Sequence, residues 1–124
     1  MNESILRDIK KMLGLDLFYT PYDVDVIVLI NSALMVLCQL GVGPKKGFIV
    51  KDYSSTWEDF LINEVNLEAA KQYVYLKVRI VFDPPNSSAV LTSYEKQIQE
   101  LEWRLNVQAE SIETFDFMNT AINE

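Results

Sequence analysis

The stretch that decides the fold is "NLEAAKQYVYLKVRIVFDPP", residues 66–85. From Tyr73 to Phe82 apolar residues alternate with polar or aromatic ones, which is typical of a β-strand. The preceding residues indicate a helix with Asn66 as its N-cap, and no turn separates the two parts. Because no second convincing strand exists elsewhere in the chain, a strand here has nothing to pair with. We therefore predict a helix from Leu67 to Phe82, with a strand over 73–82 as the alternative.

Two further helix patterns precede this stretch. Residues 3–13 carry apolar residues at helical spacing and are followed by Gly14, a common end to a helix. Residues 23–40 are apolar on nearly all sides and are followed by Gly41, so we predict the buried central helix there. A membrane span is the alternative for this second segment. Polar residues interrupt the segment and aspartates open it, which favours the buried helix.

A glycine-containing loop follows the second pattern and holds the adjacent pair Lys45 and Lys46. Its spacing differs from that of a phosphate-binding loop, in which the glycines precede the lysine. We predict an exposed loop, and exposed loops often carry function. Ser55 and Glu58 then have the spacing of a capping box, which predicts that a helix begins there.

The double proline at 84–85 ends the helix of residues 67–82, because proline disfavours helical geometry in the residue before it. The next helix is predicted to begin at Ser87 or Ser88, or at Thr92. Apolar residues form one narrow seam along it. These residues are Leu91, Tyr94, Ile98, Leu101 and Leu105. Trp103 lies on the opposite, polar side, where it either anchors a partner or covers a loop of its own chain.

Composition excludes several functions. The formal net charge of −7 gives no basic field that attracts nucleic acid, and the chain has no histidine. The single cysteine, Cys38, excludes an intrachain disulfide, and its apolar neighbours indicate an inert thiol. No set of residues has the spacing of a metal site. An enzyme that uses carboxylates, with Glu58, Asp59, Glu64 and Glu68 as candidate acids, stays open only as an alternative.

These patterns together predict an all-α fold. It is a small bundle of about five helices with an extended C-terminal helix and tail. We divide the chain into a helical domain, residues 1–106, and a C-terminal tail, residues 107–124. The tail mixes apolar and acidic residues. Ordering it costs more free energy than its own apolar groups return, so we expect it to fold only against a docking surface on a partner. The alternative is that it packs back on its own body as a sixth helix.

Four segments carry a resemblance to a known family: "INSALMVLCQLGVGP" (30–44), "GFIVKD" (47–52), "KVRIVFDPPNSS" (77–88) and "ELEWRLN" (100–106). Together they resemble the head-tail connector (adaptor) proteins of tailed bacteriophages, also described as phage DNA packaging proteins. The resemblance covers roughly residues 3–106. The order of "QLGVGP", "FDPP" and "EWRL" makes it specific.

The resemblance implies a structural virion protein that forms a ring below the capsid portal, extends the DNA channel and joins head to tail. It implies neither catalytic residues nor a cofactor. The implied partners are further copies of the chain, with roughly twelve subunits expected if the ring matches the portal. They also include the portal protein and a head-closure or tail protein. DNA passes through without specific binding, and assembly takes place in the host cytoplasm without a membrane.

Candidate interface residues follow from the seam, the exposed tryptophan and the tail. They are Trp103, Tyr94, Ile98, Leu101, Leu105, Phe115 and Phe117. The tail is expected to dock on the portal or on a neighbouring subunit. Lys45 and Lys46 are expected to contact the channel or the next ring, with a role in solubility alone as the alternative. An alternative explains the same composition. A non-viral cytoplasmic adaptor would use the seam to form a two-chain coiled coil.

Overall fold

The computed structural model describes residues 3–61 and 66–123, with side chains up to residue 111, and this described part consists of helices and loops. The helices are α1 (Ile5–Met12), α2 (Asp23–Gln39), α3 (Trp57–Phe60), α4 (Leu67–Phe82) and α5 (Ser88–Asn123). The described residues contain no strand, and their one β-type pairing is an isolated bridge between Ser4 and Thr56. The predicted small all-α bundle is therefore confirmed.

The centre of the bundle is α4, which packs against α2 and α5 and also contacts α1. The prediction of a helix over residues 67–82 is confirmed. Its buried residues span an arc of about 200° at 100° per residue. They are Ala70, Tyr73, Val74, Leu76 and Val78. Neighbours therefore cover more than half of the helix, which is why this segment is apolar at alternate positions as well as at helical spacing.

The second helix, α2, is buried on one face only. Its buried residues, Val26, Ile30, Ala33, Leu34 and Leu37, span an arc of about 100° by the same arithmetic. On the opposite side lie the exposed apolar residues Val24, Val28 and Met35. The prediction that this segment is the buried central helix is therefore wrong. Its position and length are confirmed, but α4 occupies the centre and half of α2 faces outward.

Local signals fix both ends of α1 and the start of α3. The hydroxyl of Ser4 accepts a hydrogen bond from the backbone N–H of Arg7, and Gly14 follows α1 with a positive φ of 79°. The capping box of α3 lies one residue later than predicted. Thr56 accepts from the N–H of Asp59, whose carboxylate accepts from the N–H of Thr56. Thr56 rather than Ser55 takes this role because its extended backbone turns directly into the helix.

The double proline separates α4 from α5, as predicted. Asp83, the residue before the prolines, leaves helical geometry with φ −149°, and the Nε of Arg79 donates to its carbonyl. The hydroxyl of Ser87 then accepts from the N–H of Val90 at the start of α5. Thr92 lies within the helix, where its hydroxyl donates to a backbone carbonyl. Of the predicted starts, the one at Ser87–Ser88 is confirmed.

A buried lysine holds the start of α2 in place. The ammonium group of Lys10 on α1 donates to the carbonyls of Leu17 (3.3 Å) and Tyr19 (2.8 Å) and to the hydroxyl of Tyr53 (2.8 Å). It also pairs with the Asp23 carboxylate at 2.7 Å. The Tyr53 hydroxyl in turn donates to the second oxygen of Asp23 at 2.8 Å. One lysine thus connects α1, two loops and α2, and the sequence analysis missed it.

The two charges stabilise each other against burial. Burial alone lowers the pKa of Lys10, but the hydrogen bonds with Asp23 and Tyr53 outweigh it, so this pKa lies above its ordinary value. Burial alone raises the pKa of Asp23, but Lys10 and Tyr53 outweigh that effect and hold it below its ordinary value. Both groups therefore stay charged at neutral pH, and the pair depends on all its hydrogen bonds.

The last helix, α5, packs against the body as far as Ala109 and stays helical to Asn123. The buried Tyr73 hydroxyl of α4 donates to the Glu102 carboxylate at 2.8 Å, and Asn106 donates to the Leu40 carbonyl at the end of α2 at 3.3 Å. Ala109 packs beside Gly41, where an added Cβ would come within 3.1 Å of the alanine methyl. The predicted boundary at residue 106 is therefore not a helix end. The docking role predicted for residues 107–124 stays a prediction.

A candidate protein-protein interface

The outer face of α2 and the loop after it enclose an open groove of about 870 Å³. The apolar part of its lining is formed by Val28, Met35, Cys38, Phe48 and Ile49. Val28 and Met35 remain 58% and 56% exposed. We call this feature the α2 groove. A concave, largely apolar surface of this size indicates a binding site for a partner.

A side-chain clamp forms the wall of the α2 groove. The Asn31 amide donates to the Val50 carbonyl at 3.0 Å and accepts from the Val50 N–H at 2.7 Å. The N–H and the C=O of Val50 both have a hydrogen-bond partner, and these two bonds hold the loop against α2. Phe48 packs edge-on against Phe60 of α3, with ring centroids 5.5 Å apart. The asparagine that interrupts the apolar run therefore has a structural purpose, and Ile49 is presented outward between two fixed residues.

A basic turn lies at one end of the α2 groove. The N–H of Gly47 donates to the carbonyl of Pro44 at 3.0 Å, which closes a turn with Lys45 and Lys46 at its centre. Gly47 has φ +90°, a conformation that other residues rarely adopt. Both lysines are exposed, as predicted, and both line the groove. The two lysines therefore border a candidate binding surface. Their predicted contact with the channel or the next ring stays a prediction.

Cys38 lies in the α2 groove and is half-buried. Burial raises the pKa of its thiol, and a hydrogen bond from the backbone of Phe48 offsets only part of that rise. The thiol is therefore protonated at neutral pH and is a poor nucleophile. This agrees with its interpretation as an inert, packing cysteine.

The seam of α5 faces the protein's own core. Ile98 and Leu105 are buried, and Tyr94 and Leu101 pack against the same cluster. The contact that these four side chains make is with the body of the subunit, because α4 needs a cover on this side. Their predicted role in binding a partner is therefore not what this arrangement provides. The predicted contacts Phe115 and Phe117 lie outside the side chains that the structure describes.

Trp103 is the remaining predicted contact, and it is open to solvent. Its side chain is 67% exposed and lies with Arg104 and Val107 at a shallow depression of about 440 Å³. The alternative that it covers a loop of its own chain is wrong. A tryptophan left exposed on a polar helix face is typical of an anchor at an interface, and that role stays a prediction.

The described residues give little support for a metal site, a membrane span or an acidic catalytic site. Within 3–61 and 66–111, no group of three histidine, cysteine or acidic side chains is placed to hold a metal ion. In the same part of the chain, the helices are too short or too polar to cross a membrane. Of the four candidate acids, Glu64 lies outside the described residues, and Glu58 accepts a hydrogen bond from the backbone of Glu3.

The comparison with protein families identifies the kind of protein. A family model described as phage connector protein matches residues 5–112. The chain belongs to the phage connector protein family. The resemblance seen in the sequence is confirmed, and this connector protein is a structural phage protein of a family that is typically not enzymatic. Membership also implies a component of the virion. Neither a curated protein nor a solved structure matches the chain.

The match includes the helices that build the α2 groove and most of the residues that pack α5 onto the body. It extends six residues beyond the predicted boundary at 106, past the contact between Ala109 and Gly41. The residues that join α5 to the end of α2 therefore lie within the matched range. The sequence indicates the lysines and Trp103 but not the groove. The reason is that its apolar pattern predicts a fully buried α2, which would have no exposed face.

Proposed function

We propose that this connector protein forms a closed ring below the capsid portal, extends the DNA channel and joins the head to the tail. The observation that carries the proposal is the family match over residues 5–112, which covers nearly the whole helical body. The expected ring has about twelve subunits if its symmetry follows that of the portal.

The surface of the subunit supports assembly into a ring. A ring with head-to-tail contacts needs two different surfaces on every subunit, one complementary to the other. The connector exposes the α2 groove on one element and Trp103 on another, and neither is covered by the residues that the structure describes. Two separate candidate surfaces on one small body are what repeated contacts around an axis require.

The other proposed partners are the portal protein on one side of the ring and a head-closure or tail protein on the other. We assign residues 107–124 to docking on the portal or on a neighbouring subunit. DNA passes through the ring without specific binding. The net charge of −7 supports this, because few contacts to phosphates leave little attraction that would hold the DNA in place.

The alternative of a non-viral adaptor loses its main support. That reading needs an apolar seam on α5 that is free to pair with a second chain. Ile98 and Leu105 of the seam are buried against the body, at 6% and 2% exposure. Pairing through the seam would require α5 to leave α4 and expose the core.

Electron microscopy and native mass spectrometry of the full-length protein test the ring, first alone and then with its cognate portal protein. We expect closed rings of uniform subunit number, in at least the second condition. A protein that stays monomeric or dimeric in both conditions contradicts the proposal. Rings that form only with the portal support it and show that the portal serves as the template.

A further inference from the structure

The outer face of α2 exposes Val24, Val28 and Met35 beside the polar Ser32 and Gln39, and none of the described residues covers it. Val28 and Met35 lie opposite the buried arc of the helix, and Ile49 stands beside them with 66% of its side chain exposed. A helix that is hydrophobic all round is normally buried all round. Since the described part of the body covers only one side, the apolar residues of the other side are open to a further contact.

The chain itself carries a segment with the matching chemistry. Residues 107–124 contain four acidic residues and neither lysine nor arginine. Their apolar residues include Ile112, Phe115, Met118 and Ile122, which are spaced three, three and four positions apart. This spacing is typical of one face of an amphipathic helix. The segment therefore offers an apolar face together with a net negative charge.

We propose that the α2 groove receives residues 110–124 of a second copy of the connector. An amphipathic helix laid into an apolar groove is a common mode of peptide recognition. The inference rests on the proposed ring, because it supplies the contact that joins one subunit to the next. The groove and the segment are different parts of the chain, so the contact is head-to-tail and repeats around a closed ring.

Charge and length support this occupant. The exposed Lys45 and Lys46 border the groove and face a segment whose only charges are negative. From Val28 to Gln39 the groove follows α2 for about 16 Å, and an Ile112–Ile122 helix is about 15 Å long, both at 1.5 Å per residue. The basic turn, at the end of the groove, is thus within reach of acidic residues on a docked helix.

The segment reaches the groove from another subunit. α5 is one helix as far as Asn123, and none of its residues up to Ser111 lines the groove. From Ala109, which contacts the end of α2, fourteen further helical residues extend about 21 Å. An unbroken helix of that length is suited to span from its own body to a neighbour.

Site-specific photocrosslinking of the full-length protein tests the docking. A photoreactive benzoylphenylalanine replaces Ile49, and subunits of ordinary and heavy nitrogen isotope are mixed before irradiation. We expect crosslinked peptides that join the groove of one isotope to residues 110–124 of the other. Val81 is the matched control site, because it is 63% exposed but lies at the end of α4, away from the groove. It should give none of these crosslinks.

The outcomes separate this inference from the proposed ring. Rings that form without mixed-isotope crosslinks at Ile49 overturn the docking and leave the ring intact. Mixed crosslinks in an assembly that does not close support the docking and count against the closed ring. Crosslinks that stay within one isotope, or that join residues 110–124 to the portal alone, overturn the docking.

A charge-reversal series adds a second readout. Reversal of Lys45 and Lys46 to glutamate should lower the yield of mixed crosslinks about tenfold, since a favourable charge pairing becomes repulsive. Asp116 borders the apolar face of the docked helix, whereas Glu113 lies on its far side. Reversal of Asp116 to lysine in the same chain should therefore restore part of the yield, and reversal of Glu113 should not. Lys11 and Lys96 are both exposed and outside the groove, and their reversal is the control. Equal losses in the two lysine pairs would overturn the proposed charge pairing.

Discussion

The helices α2 and α4 have similar sequences in one respect, since both are apolar on most of their circumference, but the fold treats them differently. α4 is buried over about 200° because α1, α2 and α5 all pack against it, whereas α2 is buried over about 100°. The apolar surplus of α4 serves the core of its own subunit. The apolar residues on the outer side of α2 stay at the surface, as expected if another subunit covers them.

This difference explains why apolar content alone misjudges α2. Burial of apolar area is favourable whether the cover comes from the same chain or from another. The sequence records how much of a helix is to be covered, but not by which chain. An exposed apolar surface on a structural phage protein is therefore better explained by an interface than by a defect in packing.

The sharpest test of the comparison places the same substitution on both helices. Val78→Asp puts a charge into the fully covered part of α4 and should destabilise the subunit by about 4 kcal/mol. Val28→Asp puts it on the outer face of α2, where we expect a change within about 0.5 kcal/mol and a loss of self-association. Urea denaturation measures the first effect, and analytical ultracentrifugation the second.

Equal destabilisation by the two variants would contradict the distinction between the helices. It would mean that the outer face of α2 is covered within the subunit. Val28→Thr is the control for shape, because it keeps the branched side chain without a charge. It should leave both stability and association close to those of the unchanged protein.

The ion pair that holds the start of α2 gives the next largest effect. Lys10→Ala leaves Asp23 and the Tyr53 hydroxyl without their buried cation, and we expect a loss of about 3 to 5 kcal/mol. Lys11→Ala removes the exposed neighbouring charge and should cost less than about 0.5 kcal/mol. Thermal and chemical denaturation compare the two. A similar, small loss for both would show that α2 is held by its apolar face alone.

The same pair predicts a pH dependence with a definite sign. The pKa of Asp23 lies below its ordinary value of 3.8, so its contribution is present above about pH 4 and is lost as the pH falls through the folded-state value. The pKa of Lys10 lies above 10.5, so its contribution is present below that pH and is lost as the pH rises through the folded-state value. We expect stability to decline at both ends.

Asp23→Asn separates this pair from other titrating groups. The free energy of unfolding of the variant, measured between about pH 5 and 2, should fall less steeply than that of the unchanged protein. Asp25→Asn is the control, because Asp25 lies in the same turn of α2 but is exposed. An unchanged slope in Asp23→Asn would contradict the assignment of the acid dependence to this carboxylate.

The sequence predicts the helices well because short local motifs mark most of their ends. Gly14 and Gly41 end the first two helices, and the double proline ends α4, since backbone geometry enforces each of these breaks. The sequence predicts the helix over 67–82 correctly because a strand there would need a partner strand. The capping box was misplaced by one residue because "SSTWED" contains two overlapping patterns, and only the backbone of Thr56 distinguishes them.

The candidate site is harder to predict, because it depends on which surfaces the fold leaves uncovered. Lys10 is a charged residue beside the apolar face of α1, which is a detectable signal, but its four oxygen partners come from distant positions. The seam pattern of Tyr94 and Ile98 predicts an apolar face correctly, but that face packs on the core of its own subunit and not on a partner. The spacing of apolar residues predicts which face of a helix is buried, but not which element or chain covers that face.

The smallest expected effect on stability comes from Trp103. It allows a comparison of an exposed and a buried residue on the same helix, α5. Trp103 and Leu105 are two positions apart on α5, with 67% and 2% of their side chains exposed. Leu105→Ala leaves a cavity against the core and should cost about 2 to 4 kcal/mol, whereas Trp103→Ala should change stability by less than about 0.5 kcal/mol. Denaturation measures both, and binding to the portal or to further copies, followed by sedimentation, should weaken for Trp103→Ala. Trp103→Phe is the control, because it keeps an aromatic ring and should retain part of that binding. If Trp103→Ala assembles as fully as the unchanged connector, the exposed tryptophan is a solvated side chain, and the interface is confined to other surfaces of the subunit.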